Sequence, residues 1–226
     1  MEKKKIVISL GGSLLTEDFS VNGVMKYIDI LKEIDKITQQ FVIIVGGGRI
    51  CREYQAIANK LGSSQDMEDY IGTKSTHFNA SLVASALEDY AEIPNNEEEM
   101  LFALKHKKLV VGGGLKVGQS TDAVAAFCAK IIKADLLINA SNVDGVYDCD
   151  PKQNKNAKKI PNLNYAELKK ILSKNSQLPG KYGLFDLRAV ETILESKINT
   201  VFVDGRNPQN ILKVIKGERK GTSISQ

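Results

Sequence analysis

The sequence predicts an α/β fold: a three-layer αβα sandwich built on a mostly parallel central sheet. Two observations carry that reading. Short β-branched runs stop at glycine clusters, and between them lie segments whose apolar residues recur at helical spacing. Strands that alternate with helices are joined by right-handed crossovers, which make neighbouring strands parallel and put helices on both faces.

The elements follow in order. Lys5–Leu10 reads as a buried strand entering a phosphate-sized turn at Gly11 and Gly12. Val24, Tyr27, Ile28, Leu31, Ile34 and Ile37 keep helical spacing, with Asn22 as the expected N-cap. Phe41–Val45 is a second buried strand, ending at Gly46, Gly47 and Gly48, and Ile50, Tyr54, Ile57, Ala58 and Leu61 then mark one face of a helix. Helices are expected over Phe78–Asp89 and Glu97–Lys105, and a third strand, Lys108–Val111, ends at Gly112, Gly113 and Gly114. A small-residue helix over Asp122–Ile132 leads into strand Asp135–Ala140. Asn164 and Glu167 form a capping-box-like pair opening a short helix. Leu187, Val190, Ile193 and Leu194 mark another, before strand Thr200–Val203 and a helix near Pro208–Lys216. No low-complexity linker and no fixed-period repeat divides the chain. Residues 1–226 are therefore read as one domain whose sheet falls into two halves at about residue 135.

Composition narrows the function. The balance of 42% hydrophobic and 26% charged residues is that of an ordinary globular protein, and 226 residues suffice for one large core. The apolar run Ile6–Leu10 is too short for a signal peptide, and no stretch approaches the roughly 20 residues of a membrane span, so a soluble protein is expected. Net charge is +4, from 31 basic and 27 acidic residues, which suits small anionic ligands and a solvated lysine-rich surface equally. With no Trp and 6% aromatics, a base-stacking surface for nucleic acid is poorly supported. Cys51, Cys128 and Cys149 form no C-x-x-C, and only His77 and His106 stand ready to complete a metal set. No protein-held metal is expected, and three reduced thiols fit the cytoplasm. Asn79 and Asn139 match a glycosylation pattern that has no meaning without a secretory signal.

The glycine clusters point to anions. In open α/β sheets ligands gather outside the carboxyl ends of the strands. Glycine lets backbone N–H groups approach an oxyanion closely, and a following helix adds partial positive charge. A single cluster reads equally well as a tight turn, but Gly11-Gly12-Ser13, Gly46–Gly48 and Gly112–Gly114 at one end of one sheet suggest several phosphates in a row. There is no G-x-x-x-x-G-K-[ST] and no G-x-G-x-x-G after a strand, which disfavours a P-loop and a dinucleotide site.

At this point the residues resemble the amino-acid-kinase family, and within it the archaeal branch of uridylate (UMP) kinases. The likeness rests on Ser9–Ser13, Val45–Gly48 with Arg52, Asp69–Gly72, Gly118–Val124, Asn142–Tyr147 with Asp150-Pro151, Phe185-Asp186 and Val214–Gly217. It implies transfer of the γ-phosphoryl of ATP to UMP, with Mg²⁺ held mainly by ATP. ATP would lie against Ser9, Leu10, Gly11, Gly12, Ser13, Gly48 and Arg52, with its adenosine at Ser141, Asn142, Tyr147 and Asp150. UMP would meet Gly47, Asp69, Leu115, Lys116, Val117, Gly118, Gln119, Ser120 and Thr121. Arg52 and Asp186 would attend the transferred group, and the assembly would be a homohexamer. The N-terminal half would hold the acceptor and the C-terminal half ATP.

The roles suit the residue types. Phosphoryl transfer asks mainly for positioning and charge neutralisation, and the guanidinium of Arg52 forks onto phosphate oxygens as a lysine cannot. Bland readings stand beside them: Arg52 as a solvated helix residue, Asp69 and Asp186 as helix caps, Asp144-Gly145 as a turn and Tyr147 as core. One departure matters. Many members of the wider family carry a lysine where this chain has Ser9, and the archaeal branch generally lacks it. Arg52, Lys181 and the metal are then the candidates to neutralise developing charge.

Overall fold

Strand β1 (Lys5–Leu10) is buried from Ile6 onward, so both of its faces need cover. Alternation supplies it: Val7 joins one core cluster while Ile6, Ile8 and Leu10 join another, and these two cores flank the sheet. The computed structural model describes residues 3–87, 92–151, 154–175 and 185–225.

After β1 come α1 (Gly12–Thr16), α2 (Val21–Ile37), β2 (Gln40–Val45), α3 (Gly48–Lys60), α4 (Gln65–Ala84), α5 (Glu97–His106), β3 (Leu109–Gly112) and α6 (Thr121–Ile132). The second half holds β4 (Leu136–Ser141), the short β5 (Val146–Tyr147) and β6 (Lys159–Ile160), β7 (Asn162–Asn164), α7 (Tyr165–Asn175), α8 (Leu187–Ser196), β8 (Thr200–Asp204), α9 (Gln209–Ile215) and β9 (Thr222–Ser225). The main sheet runs β3-β2-β1-β4-β8-β9-β7. Its first five strands are parallel, in register from Ile6 opposite Phe41 on one side and Leu136 on the other. β9 pairs antiparallel with β8, so the sheet is mostly rather than wholly parallel. The αβα expectation holds.

Several boundaries differ from the sequence reading, each for a local reason. Ser20, not Asn22, caps α2, its Oγ accepting from Gly23 N at 3.0 Å. The helix expected over Phe78–Asp89 begins at Gln65 and ends at Ala84; residues 88 and 89 lie outside the described residues. The stretch before Phe78 carries Thr73, Ser75 and Thr76, poor helix formers in isolation, which here satisfy their hydroxyls on the carbonyls of Asp69, Ile71 and Thr73. The capping box opening α7 is reciprocal: Glu167 Oε2 accepts from Asn164 N and Asn164 Oδ1 from Glu167 N, both at 2.9 Å. The short strands β5, β6, β7 and β9 carry too little periodicity to be read from sequence.

Candidate active site

Parallel strands deliver their carboxyl ends to one edge. The turns after β1, β2 and β3 therefore lie side by side: Gly11–Ser13, Gly46–Gly48 and Gly112–Gly114. The first two interlock. Gly46 N donates to Leu10 O at 2.9 Å, and a Cβ on Gly12 would fall 2.1 Å from Gly46 O and 2.4 Å from Gly48 N. A Cβ on Gly48, whose φ is +68°, would fall 2.5 Å from Gly12 O. Thr16 pins the pair, donating to Gly12 O and accepting from Arg49 N, each at 3.0 Å. Glycine is thus required here by loop-on-loop packing, and the same closeness lines up backbone amides for an anion. Arg52, exposed on α3, reaches across this junction to Ser13 Oγ at 3.3 Å.

The expected acceptor residues converge from two elements. Ser64 caps α4, so Asp69 sits inside the helix rather than at its cap. Its Oδ2 lies 3.5 Å from where a Cβ on Gly118 would be, which joins Asp69 to the 115–121 loop. Ser120 caps α6, its Oγ accepting from Ala123 N at 3.1 Å, and Thr121 opens the helix. Leu115 is buried in the core, while Lys116 pairs with Glu97 at 2.6 Å and Val117 is exposed. Gln119 Oε1 is buried without a hydrogen-bond partner among the described residues, an acceptor suited to a ligand's donor.

The sequence reading missed the carboxylate at the centre. Ser9 and Asn139 are register partners on β1 and β4, on the α6 side of the sheet, and both hydrogen-bond Asp122 Oδ1. Ser9 Oγ donates at 2.7 Å and Asn139 Nδ2 at 2.8 Å. Burial pushes the Asp122 carboxyl up to about 6; these two bonds lower it, and the charge of Asp186 raises it. Asp186 is therefore electrostatically joined to this cluster while also capping α8, its Oδ1 accepting from Arg188 N at 2.7 Å. A signal existed: Asn139 is a polar residue within the buried middle of a mostly apolar strand. Asn79 and Asn139, the two glycosylation-pattern asparagines, are both 4% exposed and closed to modification.

The residues expected at the adenosine begin where β4 ends beside the first turn, with Gly11 N donating to Ala140 O at 2.9 Å. Ser141 Oγ accepts from Val143 N at 3.3 Å and closes the turn, leaving Asn142 exposed. Tyr147 is half-buried rather than core: its hydroxyl donates to Asp144 Oδ1 at 2.7 Å, and Lys159 reaches Asp144 Oδ2 at 3.1 Å. Burial alone would raise the Asp144 carboxyl, but these partners hold it below its ordinary value. Asp150 follows in the segment between β5 and β6. Lys181 lies outside the described residues. Among the described residues, no three histidines, cysteines or acids gather as a metal cage, and no helix is long and apolar enough to cross a membrane.

Residues 4–204 match the sequence profile of the amino acid kinase family. A uridylate kinase of Pyrobaculum arsenaticum is 41% identical over 203 residues, 89% of this chain and 92% of the relative. One of Archaeoglobus fulgidus is 41% identical over 224 residues, 98% of this chain and 100% of the relative. The crystal structure of uridylate kinase from Archaeoglobus fulgidus superposes with a TM-score of 0.87 at 39% identity, covering 98% of this chain and 100% of the other. The chain belongs to the amino acid kinase family, on its archaeal uridylate-kinase branch.

Proposed function

We propose that this protein transfers the γ-phosphoryl group of ATP to UMP, giving UDP and ADP, a step of pyrimidine nucleotide biosynthesis. The observation that carries the proposal is the interlocked pair of turns after β1 and β2 with Arg52 laid across them. Two nucleotides meeting phosphate to phosphate need such a row of amides and a cation that forks. ATP is assigned to Ser9–Ser13 and Gly48, with its adenosine toward Ser141, Asn142, Tyr147 and Asp150 in the C-terminal half. UMP is assigned to Gly47, Asp69 and the 115–121 loop, in the N-terminal half.

The chemistry left to the protein is orientation and charge. Arg52 is the cation that the described residues bring to the phosphate turns, in place of a lysine at position 9. Asp122 and Asp186 are hard oxygen donors, the charge of Asp186 reaching Asp122, a set that fits Mg²⁺ carried on ATP's phosphates rather than caged by the chain. When bound, such an ion would supply charge neutralisation to the phosphates beside these two carboxylates. The free cysteines Cys51, Cys128 and Cys149 suit the cytoplasm assigned to this step.

A homohexamer belongs to the same proposal. The apolar face of α3 points outward, with Tyr54 63%, Ile57 59% and Leu61 81% exposed, and α4 exposes Phe78 as well. A face of that kind is covered in a symmetric assembly. The function is tested with Mg-ATP and a panel of UMP, CMP and AMP in a coupled assay of ADP release. UMP is the expected acceptor, and no ADP release with UMP overturns the assignment.

A further inference from the structure

Helix α4 supplies Asp69 to the acceptor side, but most of its inward polar side chains are aimed at protein backbone rather than at the cleft. Asn79, 4% exposed, donates through Nδ2 to two successive carbonyls, Gly46 O at 2.8 Å and Gly47 O at 3.0 Å. Both acceptors are carbonyls, which fixes the orientation of the amide: its nitrogen must face them. One turn earlier, Thr76 Oγ1 donates to Thr73 O at 2.6 Å and accepts from Gly114 N at 2.8 Å. His77 donates Nε2–H to the other end of the same residue, Gly114 O, at 2.6 Å. The three side chains lie within four consecutive residues of one helix, yet they hold two different turns.

The glycines answer this arrangement. A Cβ on Gly113 would fall 2.5 Å from Thr76 Oγ1 and 2.9 Å from the His77 ring, and a Cβ on Gly47 would fall 2.5 Å from Cys51 Cβ. The turns are therefore seated onto α3 and α4 with no room to shift. A peptide whose carbonyl is drawn inward has its N–H directed the other way, because the two are held antiparallel across one planar unit. Drawing the Gly46 and Gly47 carbonyls onto Asn79 turns the following amides, those of Gly47 and Gly48, toward the cleft. Holding both polar groups of Gly114 fixes where the 115–121 loop departs.

We infer that Asn79 and Thr76 are positioning residues for the acceptor site: α4 is one rigid bar that sets the phosphate turn and the acceptor loop in a fixed relation. This rests on the assignment of UMP to those turns. Neither side chain touches a substrate; each acts through backbone. A misplacement on the order of 1 Å at a site of this kind costs roughly a hundredfold in rate.

The test separates positioning from mere stability. Thr76→Val keeps the shape and removes the oxygen, whereas Thr76→Ser keeps the oxygen. Thr76→Val is expected to raise KM for UMP roughly tenfold while KM for ATP stays within about twofold, and Thr76→Ser to restore the wild-type value. Asn79→Ala is expected to lower kcat by roughly tenfold or more at saturating substrates. If Asn79→Ala does not fold, the threonine pair carries the test alone. The inference is overturned if Thr76→Val leaves KM for UMP unchanged, if Thr76→Ser behaves like Thr76→Val, or if the constants for both nucleotides worsen in step. Wild-type protein inactive on UMP would instead remove the functional assignment, a result these variants do not mimic.

Discussion

Ser9 donates its hydroxyl hydrogen to Asp122 across 2.7 Å, tying the end of β1 to the first turn of α6. Serine brings no positive charge, so position 9 lowers the carboxyl only through that hydrogen bond, and burial outweighs it. Burial pushes it up to about 6, and the charge of Asp186 adds to the rise. A carboxyl whose folded pKa lies above its unfolded value of 3.8 favours the folded state while protonated. That advantage is present below the unfolded value, fades as pH rises through 6, and is gone above it.

Asp122→Asn keeps an acceptor for Ser9 and Asn139 but cannot ionise. The variant is expected to be more stable than wild type at pH 8, by at most about 3 kcal/mol, with the difference shrinking toward pH 4. Its activity is expected to fall at every pH, the opposed signs that mark a residue kept for function. Melting curves at pH 4.5 and 8 check this; an equal gain at both pH values contradicts the burial account.

The outline of the fold was legible because buried parallel strands announce themselves. Lys5–Leu10, Phe41–Val45 and Thr200–Val203 are runs rich in β-branched residues, and the structure keeps all three. The part of α4 before Phe78 was not legible, since its threonines and serine satisfy themselves only once the helix exists. The glycine turns were visible, but their reason was half seen: Gly12, Gly48 and Gly113 are required by neighbouring backbone and by Thr76 as well as by any anion. Asp122 was hidden by its motif. In the Gly118–Val124 string it reads as one more helix-start residue, and only the pairing of β1 with β4 brings Ser9 and Asn139 onto it.

Glycine variants separate close packing from backbone strain. Gly12→Ala places a methyl 2.1 Å from Gly46 O and is expected to destabilise by more than about 3 kcal/mol and abolish activity. Gly62→Ala meets open space and suffers only its φ of +83°, so a cost of about 1–2 kcal/mol with activity intact is expected. Urea unfolding of the two, with activity at low temperature, checks the contrast. Similar costs at both positions would deny the interlock.

Arg52 is exposed and, among the described residues, makes one hydrogen bond, to Ser13, so its removal leaves the core untouched. Arg52→Ala is expected to melt within about 0.5 kcal/mol of wild type and to lose roughly a hundredfold in kcat. Arg52→Lys restores charge without the fork and is expected to recover only part of the loss. Full activity in Arg52→Ala would pass the neutralising role to a group outside the described residues, Lys181 among them.

Tyr54, Ile57 and Leu61 recur at three- and four-residue spacing on α3, a stripe that sequence logic assigns to a core, yet the single chain leaves all three exposed. Burying such side chains is worth roughly 1.5–3 kcal/mol each, enough in a symmetric contact repeated by every copy to hold an assembly together. Because Ile57 lies outside the core of its own chain, Ile57→Glu is expected to keep the wild-type circular dichroism spectrum. Sedimentation velocity is expected to show an oligomer for wild type and a smaller species for the variant, since a carboxylate there meets its own symmetry mate. A monomeric wild-type protein, or a variant that sediments unchanged, removes α3 from the contact.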